Sequence, residues 1–186
     1  MENIHDDLGY PGRPVQAGPL RVPPTMHRYL GAPISQIRKN AIIHEPHQNH
    51  CAHFVCHIMA YDQIPGAAKC SVFSRSDYNG VHIRVNEVFN WAPSRQVWAI
   101  HGELAEPSLV VATIAQNVNQ DDPPTVGENR RKHIGLYTGG LIWHYSTESM
   151  RVFADHPAYW RRRMTNAYSH HGQDTVLFLS AGLLRV

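Results

Sequence analysis

Cys51, His133 and His144 are the residues of this chain on which chemistry can be built. A thiolate is a strong nucleophile, it needs a base to take its proton, and the base needs a neighbour to orient it. The cysteine opens the stretch Asn49-His50-Cys51-Ala52-His53-Phe54-Val55-Cys56-His57-Ile58-Met59-Ala60-Tyr61. Apolar residues at Cys51, Phe54, Val55, Ile58 and Met59 have the spacing of a helix with one buried face. Asn49 is a favoured N-cap type and His50 a weaker one, so the helix is expected to start at or just before Cys51. A thiol in the first turn lies in the positive end of the helix dipole, which favours the thiolate. The same pattern suits a plain core cysteine, since free cysteine is among the most buried residue types. The stretch alone leaves both readings open.

The two histidines lie on either side of a turn signal. His133-Ile134-Gly135-Leu136-Tyr137-Thr138 and Leu141-Ile142-Trp143-His144-Tyr145-Ser146 flank Gly139-Gly140, and a Gly-Gly pair between strand-like runs indicates a tight hairpin. With a two-residue loop, His133 pairs across from Ser146 and Gly135 across from His144. Directly paired residues share a face, as do residues two apart, so His133, Gly135, His144 and Ser146 point the same way. Gly135 then leaves room between the imidazoles, and His144 is a diagonal neighbour able to orient His133. A three-residue loop would turn His144 to the opposite face.

The elements that must position these residues follow from the rest of the chain. Residues 1–33 are rich in Pro and Gly and carry no periodicity, which predicts an extended arm, with Met26–Leu30 as a short docked segment. Residues 34–186 are then one domain, since 186 residues fill one core and are short for two. Ile34–Ile43 is expected to make one or two helical turns. Val81-His82-Ile83-Arg84-Val85 alternates as a half-buried strand, Asn86–Trp91 is ambiguous, and Gln96–Ile100 reads as a further strand. Leu109–Ala115 is β-branched and nearly continuous, as in a sheet centre. Asn117–Lys132 is a polar loop, a candidate rim for a site. Its basic run Arg130-Arg131-Lys132 reads first as solvated surface and second as a holder of an anionic group. Met150–Phe153 extends the meander, and Asp155 and Pro157 read as the cap and first-turn proline of a helix through Trp160 and Met164. Thr175–Leu179 closes the sheet. One cysteine helix followed by mostly antiparallel strands is an α+β arrangement.

Composition removes several classes of function. A hydrophobic share of 42%, a charged share of 17% and a net charge of +2 describe an ordinary globular chain with no electrostatic case for nucleic acid or a membrane surface. Three cysteines, Cys51, Cys56 and Cys70, make no disulfide framework and fit a reducing site of synthesis with a reactive thiol. Met1–Asp7 is polar and acidic, so neither a secretory leader nor a membrane span is expected. Fourteen histidines would make the chain markedly more cationic below about pH 6.

Cys51-Ala52-His53-Phe54-Val55 opening a helix, followed by His133-Ile134-Gly135-Leu136-Tyr137 and a polar residue on the return strand, resembles the NlpC/P60 superfamily of papain-like cysteine peptidases and amidases, relatives of the CHAP amidases. The match covers mainly residues 49–61 and 109–146. It implies a papain-like α+β domain with Cys51 as nucleophile, His133 as base and His144 as the orienting third residue, and no metal or cofactor. The oxyanion hole would come from the Cys51 backbone N–H with Asn49, and His50, Gly135 and Ser146 would line the substrate site. The implied substrate is an amide bond in a peptidoglycan stem peptide. Without a leader, such an enzyme would be released by lysis or exported by a dedicated machine as an antibacterial effector, and an effector would have a cognate inhibitor protein as partner. The chain departs from the family in carrying His50 directly before the cysteine, in a longer Cys-to-His separation and in a hairpin one residue short.

Two other readings use the same residues. LRAT-like acyltransferases share similar Cys-His-Phe-Val wording, with the histidine ahead of the cysteine instead, so an acyltransferase or thioesterase built on Cys51 and His133 is the first alternative. The second is a zinc-binding module: His44, His47, His50, His53 and His57 recur densely, and His53 and His57 are an i, i+4 pair on one helical face.

Overall fold

The computed structural model describes residues 26–37, 50–61, 84–169 and 175–183. They form an α+β structure around a six-stranded sheet. Its strands are β1 (Ser94–Val97), β2 (Ser108–Ile114), β5 (Lys132–Thr138), β6 (Leu141–Ser146), β7 (Arg151–Asp155) and β8 (Val176–Gly182), in the order β1-β8-β2-β5-β6-β7. Every neighbouring pair is antiparallel. A separate two-stranded ribbon joins β3 (Val118–Asn119) to β4 (Thr125–Val126). The helices are α1 (Ile34–Ile37), α2 (Cys51–Tyr61), α3 (Val85–Trp91) and α4 (Pro157–Ser169).

Strand alternation divides the molecule into two apolar layers, one on each face of the sheet. One face carries Leu109, Val111, Ile134, Leu136, Trp143, Tyr145, Leu179 and Ala181, and buries them against α2, α3 and the segment from Met26 to Ile34. The other carries Val110, Ala112, Ile142 and Phe178 against Trp160 and Met164 of α4. All seven residues of β2 are buried, as its β-branched run requires of a central strand flanked on both sides. Each fully buried Leu, Ile or Phe contributes about 1.5–3 kcal/mol, so these two layers carry the fold.

The cysteine helix is more enclosed than its pattern predicts. From Cys51 to Met59 only His57 is not fully buried, because α3 and the 3-10 turn His27–Tyr29 cover the side turned away from the sheet. The Tyr29 ring stands edge-on to Phe54 and to His57, at 6.0 and 6.1 Å. Met26 and Tyr29 belong to the core, and the Gly31 and Val152 N–H groups donate to Val152 and Ala32 carbonyls. The end of the expected arm is thus docked; residues 1–25 lie outside the described residues.

Several local expectations are revised. The strand expected over Val81–Val85 gives way at its described end: Val85 is the first residue of α3, with Arg84 extended before it. The ambiguous Asn86–Trp91 is therefore helical, its Val85, Val88 and Phe89 buried at i, i+3, i+4. The strand at Gln96–Ile100 lies at Ser94–Val97. The strand expected at Thr175–Leu179 is β8, and it runs between β1 and β2. The polar loop is an ordered ribbon tied by Asn117, which accepts from the Asn129 N–H at 3.0 Å and donates to Thr113 Oγ1 at 2.9 Å. In the basic run only Arg130 is exposed: Lys132 is buried and donates to the Gly127 carbonyl at 2.9 Å, and Arg131 donates to the Tyr168 carbonyl. Cys70 and the span 62–83 lie outside the described residues.

Candidate functional site

The Gly139-Gly140 loop has two residues, with φ of 63° and 74°, the positive values that a tight primed turn demands and glycine supplies without strain. The ladder runs Thr138–Leu141, Tyr137–Ile142, Leu136–Trp143. This register puts Gly135 beside His144, and a Cβ on Gly135 would lie 2.7 Å from Ile142 Cγ2 and 3.4 Å from His144 Cβ. Glycine there lets β6 approach closely, and the two imidazoles meet over it. His133 Nε2 and His144 Nδ1 are 3.0 Å apart, with the rings edge to face at 5.1 Å.

The contact continues beyond the hairpin. His144 Nε2 lies 3.1 Å from Asp155 Oδ2, which Arg163 Nε also reaches at 3.0 Å. β7 pairs Phe153 with His144 and Asp155 with Ile142, so Phe153 and Asp155 share a face with His144. Asp155 therefore does not cap α4 as the sequence suggests; it ends β7, and its carboxylate turns to the histidine. His156 takes the capping role, its Nδ1 accepting from the Ala158 N–H at 3.3 Å, with Pro157 first in the helix.

The histidine pair is a dry one. Trp160 covers it, its ring 6.4 Å from each imidazole, and Phe153 stacks on His144 at 6.0 Å. Burial, then His144 and Arg163, holds His133 well below the ordinary 6.5. Burial also lowers His144, against the opposing hydrogen bond and charge of Asp155. For Asp155, burial pushes upward, but His144 and Arg163 outweigh it and keep the carboxyl below its usual value. The arrangement is two neutral imidazoles in line with a carboxylate.

Cys51 is the first residue of α2, and the carbonyl of His50 accepts the first helical N–H, from Phe54, at 2.9 Å. His50, not the expected Asn49, is thus the residue before the helix; Asn49 lies outside the described residues. The Cys51 thiol is free of disulfide and buried with the sheet residues Ile134 and Leu136. Along β5, Lys132, Ile134 and Leu136 face α2, whereas His133, Gly135 and Tyr137 face α4. Among the described residues no hydrogen bond joins Cys51 to His133. The thiol lies instead within electrostatic reach of Lys132, adjacent to His133 in the chain, and of Tyr168 at the end of α4. Burial lowers the Lys132 ammonium, and Glu128 and a Cys51 thiolate oppose that shift; burial and the same thiolate raise the Tyr168 phenol. Thiol and imidazole flank one end of β5 from its two faces.

The remaining candidates separate by role. His50 is buried edge-on to Tyr145 at 5.8 Å, and Ser146 Oγ accepts from the Ser149 N–H at 3.3 Å, bracing the turn after β6. His53 and His57 have ring centroids 6.5 Å apart, tilted by 43°. Among the described residues no group of three or more His, Cys, Asp or Glu side chains is placed to hold a metal ion; His44 and His47 lie outside them. Asp155, Arg163 and Trp160 are the site residues that sequence reasoning missed. Extending the β7 alternation by two residues, Arg151-Phe153-Asp155, was the available signal for the first.

Comparison of the chain with protein-family models, with curated proteins and with solved structures found no match. Among the described residues no helix is long and apolar enough to cross a membrane.

Proposed function

We propose that the protein is a cysteine hydrolase acting on an amide bond, with a peptidoglycan stem peptide as its substrate class and a papain-like, NlpC/P60-type domain as its frame. The observation that carries the reading is the 3.0 Å contact between His133 and His144. It occupies His133 Nε2 and leaves Nδ1 as the nitrogen available to act as a base, at the end of the strand that Cys51 flanks. In this scheme His133 Nδ1 takes the proton of the Cys51 thiol, and Sγ attacks the carbonyl carbon of the amide. The Cys51 backbone N–H, in the first turn of α2, is the donor that would stabilise the oxyanion. His133 returns its proton to the leaving amine, and water releases the acyl group from sulfur. Cys51 is fully buried on the α2 face of the sheet whereas His133 lies on the α4 face beside Trp160, so turnover requires the start of α2 to move around the end of β5 before Sγ reaches Nδ1.

A substrate of the cell wall places the action outside the cytoplasm, by lysis or export, and an effector of this kind carries a cognate inhibitor. Expression with and without a periplasmic leader tests this. Toxicity is expected from the periplasmic form alone, and is expected to vanish in Cys51→Ala. Toxicity confined to the cytoplasm would move the substrate elsewhere.

A further inference from the structure

The two imidazoles can be hydrogen-bonded in either of two proton orders, and these differ in whether His133 can act as a base. If His144 donates from Nδ1, His133 Nε2 must accept, its proton sits on Nδ1, and no lone pair remains for a thiol. If His133 donates from Nε2 to His144 Nδ1, the His133 Nδ1 lone pair is free. The hairpin alone does not choose. The choice is made one strand further on, where Asp155 Oδ2 stands 3.1 Å from His144 Nε2 and 3.0 Å from Arg163 Nε.

We infer that Asp155, held ionised by Arg163, is a positioning residue that fixes the proton order of both histidines and so leaves Nδ1 of His133 as the base. A carboxylate only accepts hydrogen bonds, so His144 Nε2 must carry hydrogen. A neutral His144 then has an accepting Nδ1, and His133 must supply the proton from Nε2. Arg163 fastens the other end: its guanidinium cannot be deprotonated, it donates to the oxygen that His144 uses, and it stacks over Phe153 at 4.7 Å, the ring that packs on His144. Asp155, Arg163 and Phe153 thus form one bracket around His144. The inference rests on the hydrolase reading only for its kinetic consequence; the proton order is a property of the folded chain.

Nitrogen-15 spectra of the histidine rings in the full chain, assigned by difference against His133→Ala and His144→Ala, read that order directly. At pH 7 both rings are expected to carry their proton on Nε2. In Asp155→Ala the pattern is expected to collapse into mixed tautomers, and kcat to fall about 100-fold with KM little changed, the lower end of what a positioned base contributes. Asp155→Asn, whose carboxamide oxygen can stand where Oδ2 does, is expected to keep the Nε2–H pattern and recover part of the rate. A wild-type spectrum with the His144 or His133 proton on Nδ1 would overturn the inference, whether or not the alanine variant folds. So would an Asp155→Ala protein with unchanged tautomers and unchanged kcat. Nε2–H tautomers in a wild type that cleaves no amide would support the inference and remove the hydrolase reading instead.

Discussion

Cys51 sits in the first turn of α2, where the helix dipole favours a thiolate, and the chemistry proposed for it is separable from its packing. Cys51→Ala exchanges one small buried side chain for another, so hydrolysis is expected to fall by at least 10³-fold while the urea midpoint moves little. Equal activity in the variant would remove the thiol from the mechanism. In the proposed reaction His133 would carry the pH dependence. Because burial and its charged neighbours hold it well below 6.5, the neutral base persists as the solution is acidified. The acid limb of kcat/KM is therefore expected on the acid side of pH 6.5, measured from pH 4.5 to 8. The contact between the two histidines was legible because the Gly139-Gly140 turn fixes the hairpin register that brings them to one face. Asp155 was not, because Asp followed two residues later by Pro is also a strong helix-start signal, and nothing in the local sequence says that β7 runs on to claim it.

The hairpin was readable as an element because Gly139-Gly140 has a single good solution, a two-residue turn with both φ positive. That turn fixes the register and, with it, the shared face of His133 and His144. Gly135 keeps the two strands close enough for the rings to meet. Gly135→Ala would set a methyl 2.7 Å from Ile142 Cγ2 and 3.2 Å from the Trp143 carbonyl oxygen. It is expected to cost about 1–3 kcal/mol in chemical denaturation and to lower activity by parting the histidines. α4 is the element that keeps the pair dry. Trp160→Ala is expected to destabilise by about 3–5 kcal/mol and to bring the His133 titration, followed by NMR, up toward 6.5 as water reaches the ring. An unmoved titration would mean that Trp160 does not set the local polarity. The wider burial of α2 was not legible, because its pattern shows one apolar stripe and the covering surfaces come from distant parts of the chain, Met26–Ile34 and α3.

At the scale of the molecule, the sheet order β1-β8-β2-β5-β6-β7 depends on a C-terminal strand inserted between β1 and β2. Such a pairing leaves no local trace, whereas the β5-β6-β7 meander could be read from adjacent runs. Burying neutral histidines also makes the whole fold sensitive to acid. His133 and His144 titrate lower when folded than when unfolded, so between their folded values and 6.5 the unfolded chain binds protons that the native one does not. Their contribution is complete above about pH 6.5 and is lost as pH falls below it, each unit of depression being worth about 1.4 kcal/mol. Asp155, lowered in the fold, adds a loss of the same sign at still lower pH. Denaturant midpoints are therefore expected to fall steadily from pH 7 to pH 5, and a flat profile would contradict neutral burial of the pair. The central claim is tested most directly by digesting purified peptidoglycan with the wild type, Cys51→Ala and His133→Ala, and weighing the products. The expected result is fragments bearing a new free amine and a new free carboxylate, absent with both variants. Intact peptidoglycan with the wild type, or the same fragments with Cys51→Ala, would contradict it.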